Sequence, residues 1–346
     1  TSHVMLTTCC PVYNPGLMFR STPVMIEVME SGLVNQVGDV DNCPVTILSS
    51  MVQPLGRLLL AVVALSNQRT MSSLGGWDIS AMEVINQGEI SSSTGLYLKA
   101  STLDHHGRLV GGNGVTDIRI RGKFYNSPTS VLSSKGRLDI TTQGDLVNEG
   151  KVASVGSLSV CALGGGNLSN HDCISGGNVM LSGHHILNHD RIESVSNMEL
   201  RAASKLLNHG LVASEGNLNV YAAWITNHPS KTMLSKGSMD LEVVDCIVNA
   251  RGGSIISTGS LGLHSRGFTP MKRILNDKGE IESGSSMTLR ASELHNKGKL
   301  HGDFRTGFID FNENVDREVH PCWRKGSSPE GDSYYKVTDI KYGRIG

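Results

Sequence analysis

Leu206-Leu207-Asn208-His209-Gly210-Leu211-Val212-Ala213-Ser214, followed by Leu218-Asn219-Val220, sets out one unit of a repeat. An aliphatic residue stands two places before an asparagine. A glycine follows by two, another aliphatic by four, and an aliphatic-x-aliphatic pair by about ten and twelve. Val84-Ile85-Asn86-Gln87-Gly88-Glu89-Ile90 with Leu96-Tyr97-Leu98 repeats it, and so does Leu146-Val147-Asn148-Glu149-Gly150-Lys151-Val152 with Leu158-Ser159-Val160. Even steps between the apolar positions are the period of a strand facing one way, whereas a helix would scatter them around its circumference.

Carried along the chain, the anchor position falls on Asn14, Asn35, Asn67, Asn86, His105, Asn126, Asn148, Asn170, Asn188, Asn208, Asn227, Asn249, Asn276 and Asn296. Eleven of the thirteen steps are 18 to 22 residues long; the other two, 32 and 27, place insertions at about 50–64 and 265–272. One such coil cannot bury its own aliphatics, so it needs a coil above and below. The fold class expected is therefore all-β, a parallel β-helix (solenoid) of about 20-residue coils. At about 4.8 Å per strand spacing, fourteen coils would make a rod on the order of 65 Å long. Two readings of the anchor asparagines stay open: stacked amides hydrogen-bonded in a ladder, or residues that tolerate a left-handed corner.

The expected organisation is an N-terminal segment 1–64 of irregular coils or a cap with an insertion, a repeat array over 65–302, and a C-terminal segment 303–346. The last holds Phe304, Phe308, Phe311, Trp323, Tyr334, Tyr335 and Tyr342. It reads as a cap or, with Tyr334–Ile340 as a fresh strand, as the start of a following module. The apolar run Leu58 to Leu65 is too short to span a bilayer and reads as a buried strand or an insertion. With no initiator methionine at Thr1, the chain reads as a fragment or processed piece.

Ile186-Leu187-Asn188-His189-Asp190-Arg191-Ile192-Glu193-Ser194 with Met198-Glu199-Leu200-Arg201-Ala202, and Ile274 to Ala291, carry a resemblance. The pattern Leu-x-Asn-x-Gly-x-Ile-x-Ser-x-x-x-Leu-x-Leu-x-Ala resembles the filamentous haemagglutinin repeat, over 65–302 and, less fully, 12–48. The resemblance implies a right-handed β-helix from the large bacterial exoproteins, adhesins and contact-dependent growth-inhibition proteins. It implies export by two-partner secretion through an outer-membrane transporter, a secreted or cell-surface location, and a receptor or glycan on a host or neighbouring cell as partner. The chain departs from that family in lacking a recognisable secretion domain, in its length and in its cysteines.

Lys+Arg is 31 against Asp+Glu 32, which gives no basic footprint for nucleic acid. Seven cysteines, Cys9, Cys10, Cys43, Cys161, Cys173, Cys246 and Cys322, match no zinc spacing and read as scattered small hydrophobes. No nucleophile elbow, phosphate loop or HExxH motif occurs, and Gly164-Gly165-Gly166 is a turn signal. The outward residue of each aliphatic-x-aliphatic strand reads Asp78, Tyr97, Arg119, Asp139, Ser159, Met180, Glu199, Asn219, Asp240, Gly262 and Thr288. That spaces the acids about 10–15 Å apart, too far for paired acid–base work.

The residue after the anchor is His171, His189, His209 and His228 in four successive coils, with His106 further up. Imidazoles about 5 Å apart could take Zn²⁺ or Cu²⁺ or act as a pH-sensitive stripe. The favoured reading is an exposed corner that tolerates polar residues, as Gln68, Gln87, Glu149 and Lys297 do elsewhere. No catalytic residue, metal or cofactor is expected. The leading expectation is a structural, adhesive stalk; the alternatives are a β-helix enzyme acting on polysaccharide and a self-assembling scaffold.

Overall fold

The structure, a computed structural model, describes residues 64–68, 70–266 and 270–302 in full. At the level of the backbone it adds the strands Met25–Ile26, Val45–Ile47, Met51–Gln53, Arg57–Asn67, Ile309–Phe311, Trp323–Ser327 and Ser333–Val337. Asn14, Asn35, Cys9, Cys10, Cys43, Cys322, Phe304, Phe308 and Tyr342 lie outside the described residues. Among the described residues every regular element is a strand, and no helix is long and apolar enough to cross a membrane. The chain forms two compact units, 1–177 and 178–346.

In the first unit one coil is made of Val131–Ser134, Arg137–Thr142 and Leu146–Asn148. Each strand pairs in parallel with its counterpart a coil before and a coil after. Val131–Ser134 lies between Arg108–Gly111 and Lys151 to Ser154. Arg137–Thr142 lies between Val115–Ile120 and Leu158 to Ala162. Leu146–Asn148 lies between Phe124–Asn126 and Leu168–Asn170. The second unit follows the same rule, with Arg191–Ser194, Leu211–Ser214, Thr232–Ser235, Ser254–Ser257 and Glu280–Ser283 in one parallel sheet. This is the expected β-solenoid.

Strict alternation turns every second side chain inward, and in this coil Leu132, Leu138, Ile140 and Leu146 are at most 1% exposed. Burying one such side chain is worth roughly 1.5–3 kcal/mol, which no single coil collects without its neighbours. The middle strand has three inward positions; the third is filled by Ala100, Ile120, Thr142 and Ala162 in the first unit.

The insertion expected at about 50–64 is not there. Met51–Gln53 pairs with Met71 to Ser73, and Arg57–Asn67 pairs with Gly76 to Asn86 in ordinary register. Val45–Ile47 pairs with Leu65 to Asn67, which puts Ile47, not Asn35, opposite the Asn67 anchor. At this register position the sequence has isoleucine where later coils have asparagine, so the asparagine signal vanishes while the strand persists. The second insertion is real. Cys246 pairs with Arg273 while Glu242 pairs with His264, so the extra residues fall between His264 and Arg273.

Past the array, Ile309–Phe311 adds a parallel strand to Leu289 through Ala291. Trp323–Ser327 and Ser333–Val337 then pair antiparallel, with Tyr335 opposite Ile309.

Candidate functional site: a buried amide ladder and the outer faces

Each coil turns its anchor side chain inward, and Asn67, Asn86, His105, Asn126, Asn148, Asn170, Asn188, Asn208, Asn227, Asn249 and Asn276 are all 0% exposed. Asn296 is partly exposed. In the second unit Asn188 donates from Nδ2 to Oδ1 of Asn208 at 2.9 Å, Asn208 to Asn227 at 2.8 Å, and Asn227 to Asn249 at 2.9 Å. Asn249 continues to Asn276 at 2.9 Å, and Asn276 to Asn296 at 2.7 Å. The second Nδ2 hydrogen reaches a backbone carbonyl: Leu211 from Asn188, Thr232 from Asn208, Ser254 from Asn227 and Glu280 from Asn249. A buried amide with both donors and its acceptor engaged has its desolvation cost offset by hydrogen bonds. The left-handed alternative does not describe these residues. Among the described residues, those other than glycine with positive φ are Ser230 and Lys278.

The first unit has the same chain of bonds with one substitution. Asn67 donates to Asn86 at 2.7 Å, Asn126 to Asn148 at 2.6 Å and Asn148 to Asn170 at 2.7 Å. Next after Asn86, His105 stands in line. Asn86 Nδ2 lies 3.1 Å from His105 Nδ1, and His105 Nε2 lies 3.3 Å from the Val131 carbonyl. That pattern assigns the proton to Nε2. Having passed its one N–H to Val131, His105 leaves the Asn126 oxygen to the Ser130 hydroxyl, which donates to it at 2.6 Å. Burial pushes the His105 imidazole down to about 4, so it is neutral.

A second inward polar column was not read from the sequence. Ser134 pairs with Ser154 in the first unit, and Ser194, Ser214, Ser235, Ser257 and Ser283 run in register in the second. Their hydroxyls reach back to a carbonyl of the preceding coil: Ser154 to Gly136 at 2.6 Å, Ser214 to Ser196 at 2.6 Å, Ser235 to Gly216 at 2.7 Å, and Ser257 to Gly237 at 2.8 Å. Gly111 interrupts this column. Thr116, where neighbouring coils place Leu96 and Leu138, supplies the missing hydroxyl and bonds Ser134 at 3.2 Å.

The histidine edge divides. His189 and His209 stack with ring centres 5.1 Å apart, and His209 and His228 at 3.4 Å. Burial first, then the charge of a neighbouring imidazole, lowers His209 and His228 below their ordinary value; the neighbour is His228 for His209 and His189 for His228. Their in-plane lone pairs lie in near-parallel planes and do not converge. His171 turns its Nε2 to the Ser169 hydroxyl at 2.9 Å, and His106 pairs with Asp104 at 2.9 Å. Among the described residues no three histidine, cysteine or acidic side chains gather as a metal site.

On the outer face, register corrects one position. Asp78, Tyr97, Asp117, Asp139 and Ser159 stand in one column, and Arg119 lies two residues further along its strand. Asp117 and Asp139 are therefore one strand spacing apart, about 4.8 Å, and not several coils. Both carboxylates are engaged. Arg119 forks both oxygens of Asp117, at 3.2 and 3.1 Å from Nε, and Arg137 Nε sits 2.9 and 2.7 Å from those of Asp139. Arg119 also covers the Tyr97 ring at 5.5 Å. An open groove of about 440 Å³ runs over this cluster, with Lys99 and Arg121 on its rim. With every carboxylate oxygen occupied by a guanidinium, neither acid is placed to exchange a proton with a substrate. In the second unit, Asp240 accepts from His264 Nε2 at 2.7 Å and raises that imidazole to about 8.

The chain is similar to proteins named CdiA. A deoxyribonuclease CdiA of Dickeya dadantii (strain 3937) is 27% identical over 241 residues, 68% of this chain and 7% of its own. A tRNA nuclease CdiA of Yersinia mollaretii is 24% identical over 270 residues, 69% of this chain and 8% of its own. The chain thus spans less than a tenth of the length of these curated relatives. No family model and no solved structure matches it.

Proposed function

The chain is related to the CdiA exoproteins of contact-dependent growth inhibition and carries a filamentous-haemagglutinin-type β-solenoid, and from that premise we propose that it is a stalk segment. Like those proteins it is secreted and cell-surface in location. In the proposed role it holds an adhesive or toxic region away from the producing cell, with array 65–302 as the shaft and 1–64 and 303–346 as its flanking coils or junctions. The nuclease activities named in the relatives belong to proteins more than ten times longer than the match, and in the proposed role this segment carries no catalysis of its own. Its partners are an outer-membrane two-partner-secretion transporter and a receptor or glycan on the contacted cell.

The observation that carries this reading is the buried amide ladder. Its hydrogen bonds run along the stacking direction, coil to coil, so the side chains spend their polar capacity on holding one coil to the next. The test is deletion of one whole coil, residues 148–169, from the parent exoprotein. Register is then restored, because Asn148 and Asn170 are equivalent positions. A shaft shortened by one coil keeps neighbour inhibition and surface display. Complete loss of inhibition with display and folding intact would mean that this coil holds a specific functional site, and the stalk reading would fail.

A further inference from the structure

One outer column of the second unit reads His185, Lys205, Trp224, Cys246, Arg273 and Glu293 in register. Five of the six side chains are long or carry a ring. The sixth, Cys246, is short and only 5% exposed, so the column dips there. Above the dip opens a cavity of about 510 Å³, walled by Trp224 on one side and by Arg273 and Glu293 on the other, with Asp245 and Lys272 on its rim. Trp224 and Arg273 are two strand spacings apart, about 10 Å, which leaves room for one six-membered ring lying on the indole.

Trp224 is 38% exposed, and among the described residues it is the one aromatic ring among the exposed large apolar side chains. Trp77, by contrast, is 1% exposed. The Trp224 ring N–H donates to Thr226 Oγ1 at 3.0 Å, which fixes the indole's orientation before any ligand arrives. An exposed, oriented indole beside a cavity costs stability that burial would have supplied, and the solenoid itself makes no use of it.

The charges around the cavity balance. Lys272 Nζ lies 2.5 Å from Asp245 Oδ1, and Arg273 Nε donates to Glu293 Oε2 at 2.7 Å. The Arg273 guanidinium holds the Glu293 carboxyl below its usual range. Two cations and two anions, each already paired, offer no net attraction to a charged ligand. A fully apolar ligand would strip water from four charges without replacing its hydrogen bonds. A neutral sugar meets both demands. Its C–H face lies on the indole, and its hydroxyls, each donor and acceptor, fit between carboxylate and guanidinium.

We propose that this cavity is a binding subsite for one pyranose ring of a neutral saccharide. The proposal deepens the stalk reading and rests on it for its biological setting, a glycan on a contacted cell. The binding itself depends only on the cavity.

The full 346-residue chain is titrated with the methyl glycosides of glucose, galactose and mannose, and with N-acetylglucosamine and its β-linked dimer. Tryptophan fluorescence and calorimetry are the readouts. At least one probe gives a saturable change with a dissociation constant in the millimolar range or below. Trp224→Ala removes the change, and Glu293→Gln weakens binding several-fold. Cys246→Met, which fills the floor and leaves the indole in place, weakens it at least tenfold. Circular dichroism and the melting temperature of each variant establish that the solenoid is intact. No saturable change with any probe overturns the proposal, and so does binding that survives Trp224→Ala. Neither outcome touches the whole-coil deletion, so a failed subsite and a failed stalk are told apart.

Discussion

If the amide ladder holds coil to coil, removing a central rung must cost more than removing the last one. Asn208 is a central rung. It accepts from Asn188 at 2.9 Å, and donates to the Asn227 oxygen at 2.8 Å and to the Thr232 carbonyl at 3.0 Å. Asn208→Ala leaves the Asn227 oxygen and the Thr232 carbonyl each short of a bond, while Asn188 keeps its bonds to Asp190 and Leu211. At about 1 to 2 kcal/mol apiece, the loss is roughly 2 to 4 kcal/mol. Asn296 is the final rung. It accepts from Asn276 and donates to the Gly298 carbonyl at 3.3 Å, and Asn276 keeps its bonds to Gly279 and Lys299 when Asn296 is removed. Asn296→Ala therefore costs about 1 to 2 kcal/mol. Urea unfolding of both variants, followed by far-ultraviolet circular dichroism, gives the two numbers. Amide hydrogen exchange shows whether the loss at Asn208 spreads to the coils of Asn188 and Asn227, as nearest-neighbour coupling requires. Equal costs for the two variants would falsify the ladder as the source of cohesion between coils, whatever their size.

The break in the ladder at His105 makes two linked predictions. Its folded value of about 4 lies below the unfolded value of 6.5, so the unfolded chain binds the proton more readily. Stability is then full above pH 6.5 and is lost as the pH falls toward 4, by about 3 kcal/mol in total. His105→Asn restores an amide between Asn86 and Asn126, abolishes this step in the acid limb of a pH–stability curve, and raises stability at neutral pH by about 1 kcal/mol. A curve unchanged by the substitution would remove His105 from the account. At the other interruption, a Cβ added to Gly111 would sit 1.7 Å from Thr116 Oγ1. Gly111→Ser alone destabilises by about 2 kcal/mol or more through overpacking. Gly111→Ser with Thr116→Leu restores the serine and leucine that the other coils place there and recovers most of the loss. A double-mutant cycle that came out additive would show that the two positions do not compensate.

The parts of the fold that were legible are those written into every coil by chemistry with no substitute. An inward amide at a strand end needs a neighbouring amide, so asparagine recurs, and its spacing gives the coil length. The spacing even placed His105 in the anchor series, because an imidazole can accept from Asn86 and donate onward as an amide does. Where a coil uses another solution the signal shifts. The register position opposite Asn67 carries Ile47, so an asparagine spacing points to Asn35 and implies an insertion, whereas the strand runs unbroken from Arg57 to Asn67. Thr116 stands where Leu96 and Leu138 stand, and the strand has a third inward position at Ile120. Ile118 and Ile120 therefore mimicked the aliphatic pair and moved the outward reading from Asp117 to Arg119.

This shift of two residues matters chemically, because true register sets Asp117 beside Asp139, the adjacency that an acid pair in a β-helix needs. Only the guanidinium forks of Arg119 and Arg137 show that the adjacent pair is spent on ion pairing. The serine column escaped for a related reason. Serine beside glycine reads as a turn, and its inward role depends on a carbonyl about twenty residues away. The Trp224 cavity was the least legible of all. Trp224, Cys246, Arg273 and Glu293 are unremarkable singly and lie one coil apart in sequence. The dip exists because a small residue follows a large one across strands, not along them. In a solenoid the columns, read at the period of the coil, hold the surface chemistry. A register error of two residues is enough to scramble them while leaving the fold correctly inferred, and for this reason the fold of such a chain is read more securely than its sites.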